Sequence, residues 1–380
     1  MCSALTVVVR AADAAPDPLD ACNVVWDSPG GNSAGSMPIG NGDIGVNAWV
    51  EENGDLLLLI GKTDAWDENS RIIKVGRVRI TLTPSPFAKG RPFRQELKLR
   101  DGLIEITGGT PDAATVAKIW VDANHPVIRV ECDSPQPVEV TAKTEIWRTE
   151  KRLFGRQEWD SCWHMKGVDA GNRPKDIECF VTPDTVVAGG ERVVWYHRNE
   201  YSVWPIGMKL QGLEPVMAEL KDPLLKRTFG AALGGKGFVK SDAHTLKSSK
   251  PAKSHCVAIY PLTSQTPTPE AWLAQLDQTI RAADGVDLGK SRAEHQQWWR
   301  DFWNRSWIRI SGSGEADTVT RGYTLQRWMN ACAGRGALAI KFNGSIFTVE
   351  NRNGDQVLSD PDWRAWGGDY WYQNTRLAYW

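Results

Sequence analysis

In LKLRDGLIEI, residues 97–106, Leu97 and Leu99 precede Asp101-Gly102, and Ile104 and Ile106 follow it. Each half alternates apolar with polar residues, and Asp-Gly tolerates the positive φ of a tight turn. The stretch predicts an antiparallel hairpin with one buried face. Upstream, Val78, Ile80 and Leu82 alternate with Arg77, Arg79 and Thr81, a second half-buried strand. Further strands are expected at 115–121, 126–132, 137–143, 192–197 and 254–261. No long helical pattern interrupts residues 23–263, so a large antiparallel sandwich is the expected architecture.

The period changes at Thr268-Pro269-Glu270. A side-chain cap, a first-turn proline and an acid near the positive end of the dipole predict a helix start. Trp272, Leu273, Leu276 and Ile280 share one face, and Gly285 closes the segment. A second helix is expected over 288–304, with His295, Trp298, Trp299, Phe302 and Trp303 as its heavy stripe. Trp307 to Ile310 reads as a short strand, and 315–333 as a third helix stopped by Gly334. Residues 340–349 read as an extended, largely buried stretch, and 350–362 as a polar loop. From Tyr370 onward the apolar spacing is helical up to Trp380 with no stop signal, which predicts a helix cut across by the end of the sequence.

Among 380 residues the formal net charge is −1, without blocks of like charge. Nothing here favours nucleic acid or an anionic membrane as partner. No apolar run reaches the roughly 18 residues of a membrane span, so no membrane insertion is expected. The 19 Trp outnumber both the 7 Tyr and the 9 Phe. An indole offers a flat apolar face and one N–H donor, which suits a sugar ring, although filling a core is its commoner use. Seven scattered Cys argue against a disulfide framework, and six His without ligand spacing argue against a metal. No cofactor is expected. Ala12-Asp13-Ala14 resembles a cleavage site, so residues 1–22 read as a leader or residual signal peptide and the protein as secreted or periplasmic, with a disordered cytoplasmic tail as the alternative.

Five segments carry possible chemistry. SMPIGNGDIGVNAWV (36–50) places Asn41 and Asp43 between glycines that permit tight turns, either to meet a ligand or to close a hairpin. KTDAWDENSR (62–71) sets Asp64, Asp67 and Glu68 around Trp66, and WYHRNE (195–200) sets His197 to Glu200 after a strand; both also read as solvated loop ends. FNGSIF (342–347), with Asn343, and WGGDYWYQN (366–374) concentrate amides and aromatics. In the latter, Asp369, Gln373 and Asn374 could bond sugar hydroxyls or position a water, while Trp366 and Trp371 stack.

Taken in order, PIGNG, DAW, QWWRDFWNRSW, NGSIF and WGGDYWYQNTRLAYW resemble glycoside hydrolase family 95 and its relatives, and more closely the bacterial family containing domain of unknown function 5703, over roughly residues 23–380. The resemblance implies a mainly β N-terminal domain, an antiparallel β-super-sandwich at 23–265. It further implies an α-helical linker at 266–312 and, at 313–380, the start of an incomplete (α/α)6 barrel. It makes Asn41 and Asp43 substrate-binding candidates together with Trp66, Asn343, Trp366, Asp369 and Trp371. Asn374 and Gln373 stand near the positions of two water-activating asparagines, with Trp371 where the family has His. The implied chemistry is inverting hydrolysis of an α-linked sugar, of fucose or galactose type, in an oligosaccharide or polysaccharide. The family's acid lies further along the barrel, beyond Trp380, so this chain alone is expected to be inactive. A non-catalytic carbohydrate-binding or structural module is the alternative, and phosphorolysis finds no phosphate-binding motif.

Overall fold

A computed structural model describes residues 17–155, 158–162, 179–341, 344, 346–354, 356–364, 370 and 372–376. The hairpin forms as its sequence requires: Phe93–Lys98 pairs antiparallel with Leu103–Gly108, Leu97 opposite Ile104. Gly102 closes the turn at φ +68. Its missing side chain also matters, because a Cβ there would fall inside the indole of Trp299.

The strands build two layers joined by one long strand, Ile128–Glu145. Its first part lies between Thr115–Val121 and Ala252–Gln265. Its last part lies between Gly76–Thr83 and Thr245–Ser248. The sequence reading expected two strands here, at 126–132 and 137–143. Pro135 falls between them and Pro137 opens the second; lacking N–H groups, neither can donate to a ladder, and the chain uses this point to pass from one layer to the other. One layer continues outward to Leu103–Gly108, Phe93–Lys98 and Val24–Trp26 on one side, and to Arg227–Gly234, Val193–Arg198 and Thr185–Val187 on the other. The second layer runs from Gly76–Thr83 through Leu56–Lys62 and Ile44–Val50 to Met37–Gly40. Residues of both layers, among them Val46, Leu58, Val78, Ile104, Ile119 and Ile259, share one core. In Gly76–Thr83, Val78, Ile80 and Leu82 are buried, as the alternation predicts.

Five α-helices are described: α1 (Trp204–Leu210), α2 (Pro269–Asp284), α3 (Leu288–Arg305), α4 (Gly314–Ala333) and α5 (Tyr372–Thr375). The cap of α2 is the one its sequence announces, Thr268 Oγ1 accepting from Ala271 N at 3.2 Å. α3 lies across the tip of the opening hairpin. Trp303 Nε1 donates to Leu99 O at 2.8 Å, and His295 bridges Gly102 O and Ala123 N at 3.1 and 3.2 Å. α4 then docks on the second layer, with Trp328 Nε1 donating to Pro38 O at 2.9 Å.

Three readings change. Residues 18–22, assigned to the leader, form a 3-10 turn whose Leu19 and Cys22 enter the core; residues 1–16 lie outside the described residues. Trp307–Ile310 is no strand: Ile308 and Ile310 are exposed, and Ile310 bonds to Thr320 Oγ1 on α4 instead of to a sheet. The polar loop at 350–362 contains a hairpin, Asn351–Asn353 with Gln356–Ser359, whose turn holds Gly354 at φ +58. The short α1, of 7 residues, lies inside the β-rich region, where no long helix was expected and none is described. Past residue 313 the described helices are α4 and α5.

Candidate functional site

The loop after Met37–Gly40 is pinned from both sides. Asn41 Oδ1 accepts from Ile44 N and Asp43 N at 2.9 and 3.2 Å, and its Nδ2 donates to Asp122 O at 2.9 Å. Asn41 therefore shapes the turn. Gly42, at φ +94, donates to Cys332 O and accepts from Arg335 N and Gly336 N, which fastens the loop to the end of α4. Asp43 is left at the rim, its side chain 34% exposed.

Asp43 Oδ1 accepts from Thr63 Oγ1, and Oδ2 lies 2.7 Å from Lys62 Nζ. The same ammonium reaches Asp64 Oδ1, also at 2.7 Å. Burial pulls the Lys62 pKa down, but Asp64 and Asp43 outweigh it and hold it above the ordinary lysine value. Two half-exposed carboxylates thus share one buried cation, fixed at the end of an apolar strand.

Next to this row stands Trp66, whose Nε1 donates to Thr63 O at 3.2 Å. Its ring is 8% exposed, because Tyr370 lies 5.9 Å away and Lys341 Nζ 5.7 Å from its centroid. Lys341 is itself buried, 4.6 Å from the Tyr370 ring, a cation held between two aromatic groups. The ring offered to solvent is Tyr370, at 36% exposure.

Beneath Trp66 the two motifs read as loop ends meet in a buried network. His197 Nε2 is 2.7 Å from Glu68 Oε2, and Nδ1 is 2.9 Å from Asp184 Oδ1. Arg148 binds Asp184 through Nε at 2.7 Å and also pairs with Asp362. Asp362 accepts from Lys74 N at 3.1 Å, and Lys74 Nζ donates to Ile346 O at 2.6 Å. Asp67 pairs with Arg71 at 2.7 Å. Burial alone would lower the His197 pKa; Glu68 and Asp184 reverse this and raise it to about 9, so His197 is an imidazolium at neutral pH. Burial drives Lys74 down to about 7 against Asp362 and Glu350. Opposite charges, invisible to each other along the sequence, explain why these loops are interior. The network also fastens the segment around Ile346 and Asp362 to the sandwich.

Of the residues the sequence singles out, Asn41, Asp43 and Trp66 converge here, joined through Thr63. Gln373 is exposed and Asn374 half-buried on α5, the turn that follows Tyr370. Asn343, Trp366, Asp369 and Trp371 lie outside the described residues. Sequence reasoning missed Lys62 and Lys341; the available signal was a lysine at the end of an apolar run at 62 and inside one at 341. It also missed Asp360, whose carboxyl is pushed up to about 6 by burial and by neighbouring Asp362. Among the described residues no group of three or more His, Cys, Asp or Glu could hold a metal ion. Among them, too, no helix is long and apolar enough to cross a membrane. Chemically, the rim supplies carboxylate acceptors, an ammonium and a phenol ring, a set suited to hydroxyl groups on an apolar ring.

The chain belongs to the family described as Domain of unknown function (DUF5703), which matches residues 25–308. No curated protein matches it. Among solved structures it is similar to one described as a kojibiose phosphorylase from human microbiome, with 9% identity and a TM-score of 0.46 over 86% of this chain and 44% of that one. It is also similar to a bacterial glucoamylase complexed with acarbose, with 7% identity and a TM-score of 0.41 over 80% and 42% of the two chains. The chain spans less than half the length of either structure.

Proposed function

We propose that this member of the DUF5703 family is the β-rich part of an enzyme that cleaves α-linked sugars, and that it holds the sugar at the Asp43–Lys62–Asp64 rim. The observation that carries the reading is the row itself: two half-exposed carboxylates fixed on one buried ammonium, followed in the same loop by Trp66, whose ring lies 5.9 Å from that of Tyr370. Carboxylates accept from sugar hydroxyls, an ammonium donates to them, and an aromatic face covers the C–H side of the ring. The resemblance to glycoside hydrolase family 95 supports inverting hydrolysis and fucose or galactose as the sugar. Asn374 and Gln373, on the turn that follows Tyr370, are the candidates for orienting the water.

One observation favours the second reading, a carbohydrate-binding module. Both rim carboxylates are already bound to Lys62, an arrangement that suits recognition better than proton transfer. Incubation with α-L-fucosyl and α-L-galactosyl oligosaccharides, followed by product analysis, separates the two. Release of the monosaccharide with inverted anomeric configuration supports hydrolysis by this chain. Binding of intact glycan without release supports the module. Neither release nor binding across the panel refutes the sugar assignment.

A further inference from the structure

The cysteines are scattered in sequence, yet two of them meet in space. Cys162 follows the 3-10 turn Glu158–Ser161, its N–H bonded to Trp159 O at 3.2 Å. Cys179 precedes the strand Phe180–Val181, its carbonyl accepting from Phe154 N at 3.1 Å. Both are fully buried in one apolar cluster with Trp66, Phe154, Val181, Val203 and Leu224. Asn69 lies between them, its Nδ2 donating to Phe180 O, next to Cys179, at 2.8 Å. The Cys162 thiol donates to Asn69 O at 3.3 Å, which places the pair under the loop that carries Trp66 and the Asp67–Arg71 ion pair. Cys22, by contrast, bonds to Thr324 on α4, and Cys256 is half-buried on a sheet strand.

We propose that Cys162 and Cys179 form a disulfide when the chain folds under oxidising conditions, and that this bond staples the floor of the candidate site. In the step two S–H bonds break and one S–S bond forms. Two electrons and two protons, the protons by way of solvent, pass to a small-molecule or protein disulfide, which is reduced to two thiols. The exchange proceeds through a thiolate. Burial, reinforced by the neighbouring Cys179, holds the Cys162 thiol well above its ordinary pKa, so the folded dithiol is inert. The bond therefore forms during folding, while both sulfurs are still accessible, and folded reduced protein resists later oxidation. Once made, it closes the chain across residues 163–178 and restricts the unfolded state.

Two refolding reactions test this, one in a mixture of reduced and oxidised glutathione and one in excess dithiothreitol. Each is followed by alkylation, thiol counting and peptide mass mapping. With seven cysteines in the chain, the oxidised product is expected to show five alkylated residues and one linked peptide pair joining Cys162 to Cys179. Its Tm should exceed that of the reduced form by about 5 °C. Cys162→Ala and Cys179→Ala should each abolish that gap, and Cys256→Ala should leave it intact. Seven alkylated cysteines after oxidative refolding overturn the proposal, as does linkage to any other cysteine or a gap that survives Cys162→Ala. Mapping of the unsubstituted protein decides the matter even where a variant does not fold.

Discussion

Replacing His197 with Gln lowers the unfolding free energy by about 3–5 kcal/mol at pH 6.5, the usual cost of removing one partner from a buried ionic group. The imidazolium lies between Glu68 and Asp184, with both ring nitrogens engaged and the side chain shut off from solvent. Gln fills similar space and can offer N–H bonds, but it leaves two buried carboxylates without the intervening positive charge. The pH dependence distinguishes this from a packing defect. Because the pKa of His197 rises on folding from 6.5 to about 9, its contribution is complete below pH 6.5 and is lost as pH rises through 9. The deficit of His197→Gln, measured by urea unfolding, should therefore be largest at pH 6.5 and shrink above pH 9. His295 works in the opposite sense. Burial lowers it to about 4, so its contribution is present above pH 6.5 and lost as pH falls through 4. A deficit for His197→Gln that stays constant from pH 6 to 10 would contradict this account.

Trp299→Ala should cost about 3–5 kcal/mol. This indole fills the space left by Gly102, stacks on Trp328 at 4.4 Å and meets Trp298 edge-on at 5.0 Å. One ring thus joins the opening hairpin, α3 and α4. Trp299→Phe should cost much less, about 1–1.5 kcal/mol, because Nε1 of Trp299 has no hydrogen-bond partner among the described residues. Phe keeps most of the buried area and removes an unpaired donor. Thermal unfolding of the two variants side by side checks the contrast, and equal losses would mean that the indole N–H is satisfied after all.

What could be read from sequence was local. The Asp101-Gly102 turn, the alternation of Val78, Ile80 and Leu82, and the cap of α2 each involve residues within a few positions of one another, and each forms as expected. What escaped were pairings across long separations. Nothing near Glu68 announces His197, and nothing near Trp66 announces that Tyr370 and Lys341 will cover its face. Asn41 shows the same limit at the candidate site. Its glycine-flanked position was legible as a turn or as a ligand contact, and its hydrogen bonds to Ile44, Asp43 and Asp122 were not. Pro135 and Pro137 did mark a break in strand pairing, but whether the chain turned back or crossed between layers depended on partners far away in sequence.

The rim as a sugar site is the claim on which the functional reading rests. Calorimetric titration of α-L-fucosyl and α-L-galactosyl oligosaccharides into wild-type protein and Lys62→Met puts it to the test, with circular dichroism confirming that both are folded. Lys62→Met removes the cation that positions Asp43 and Asp64, so affinity should fall at least about tenfold, the equivalent of roughly 1.4 kcal/mol. Equal affinity in the two proteins, or no heat of binding in either, would contradict it.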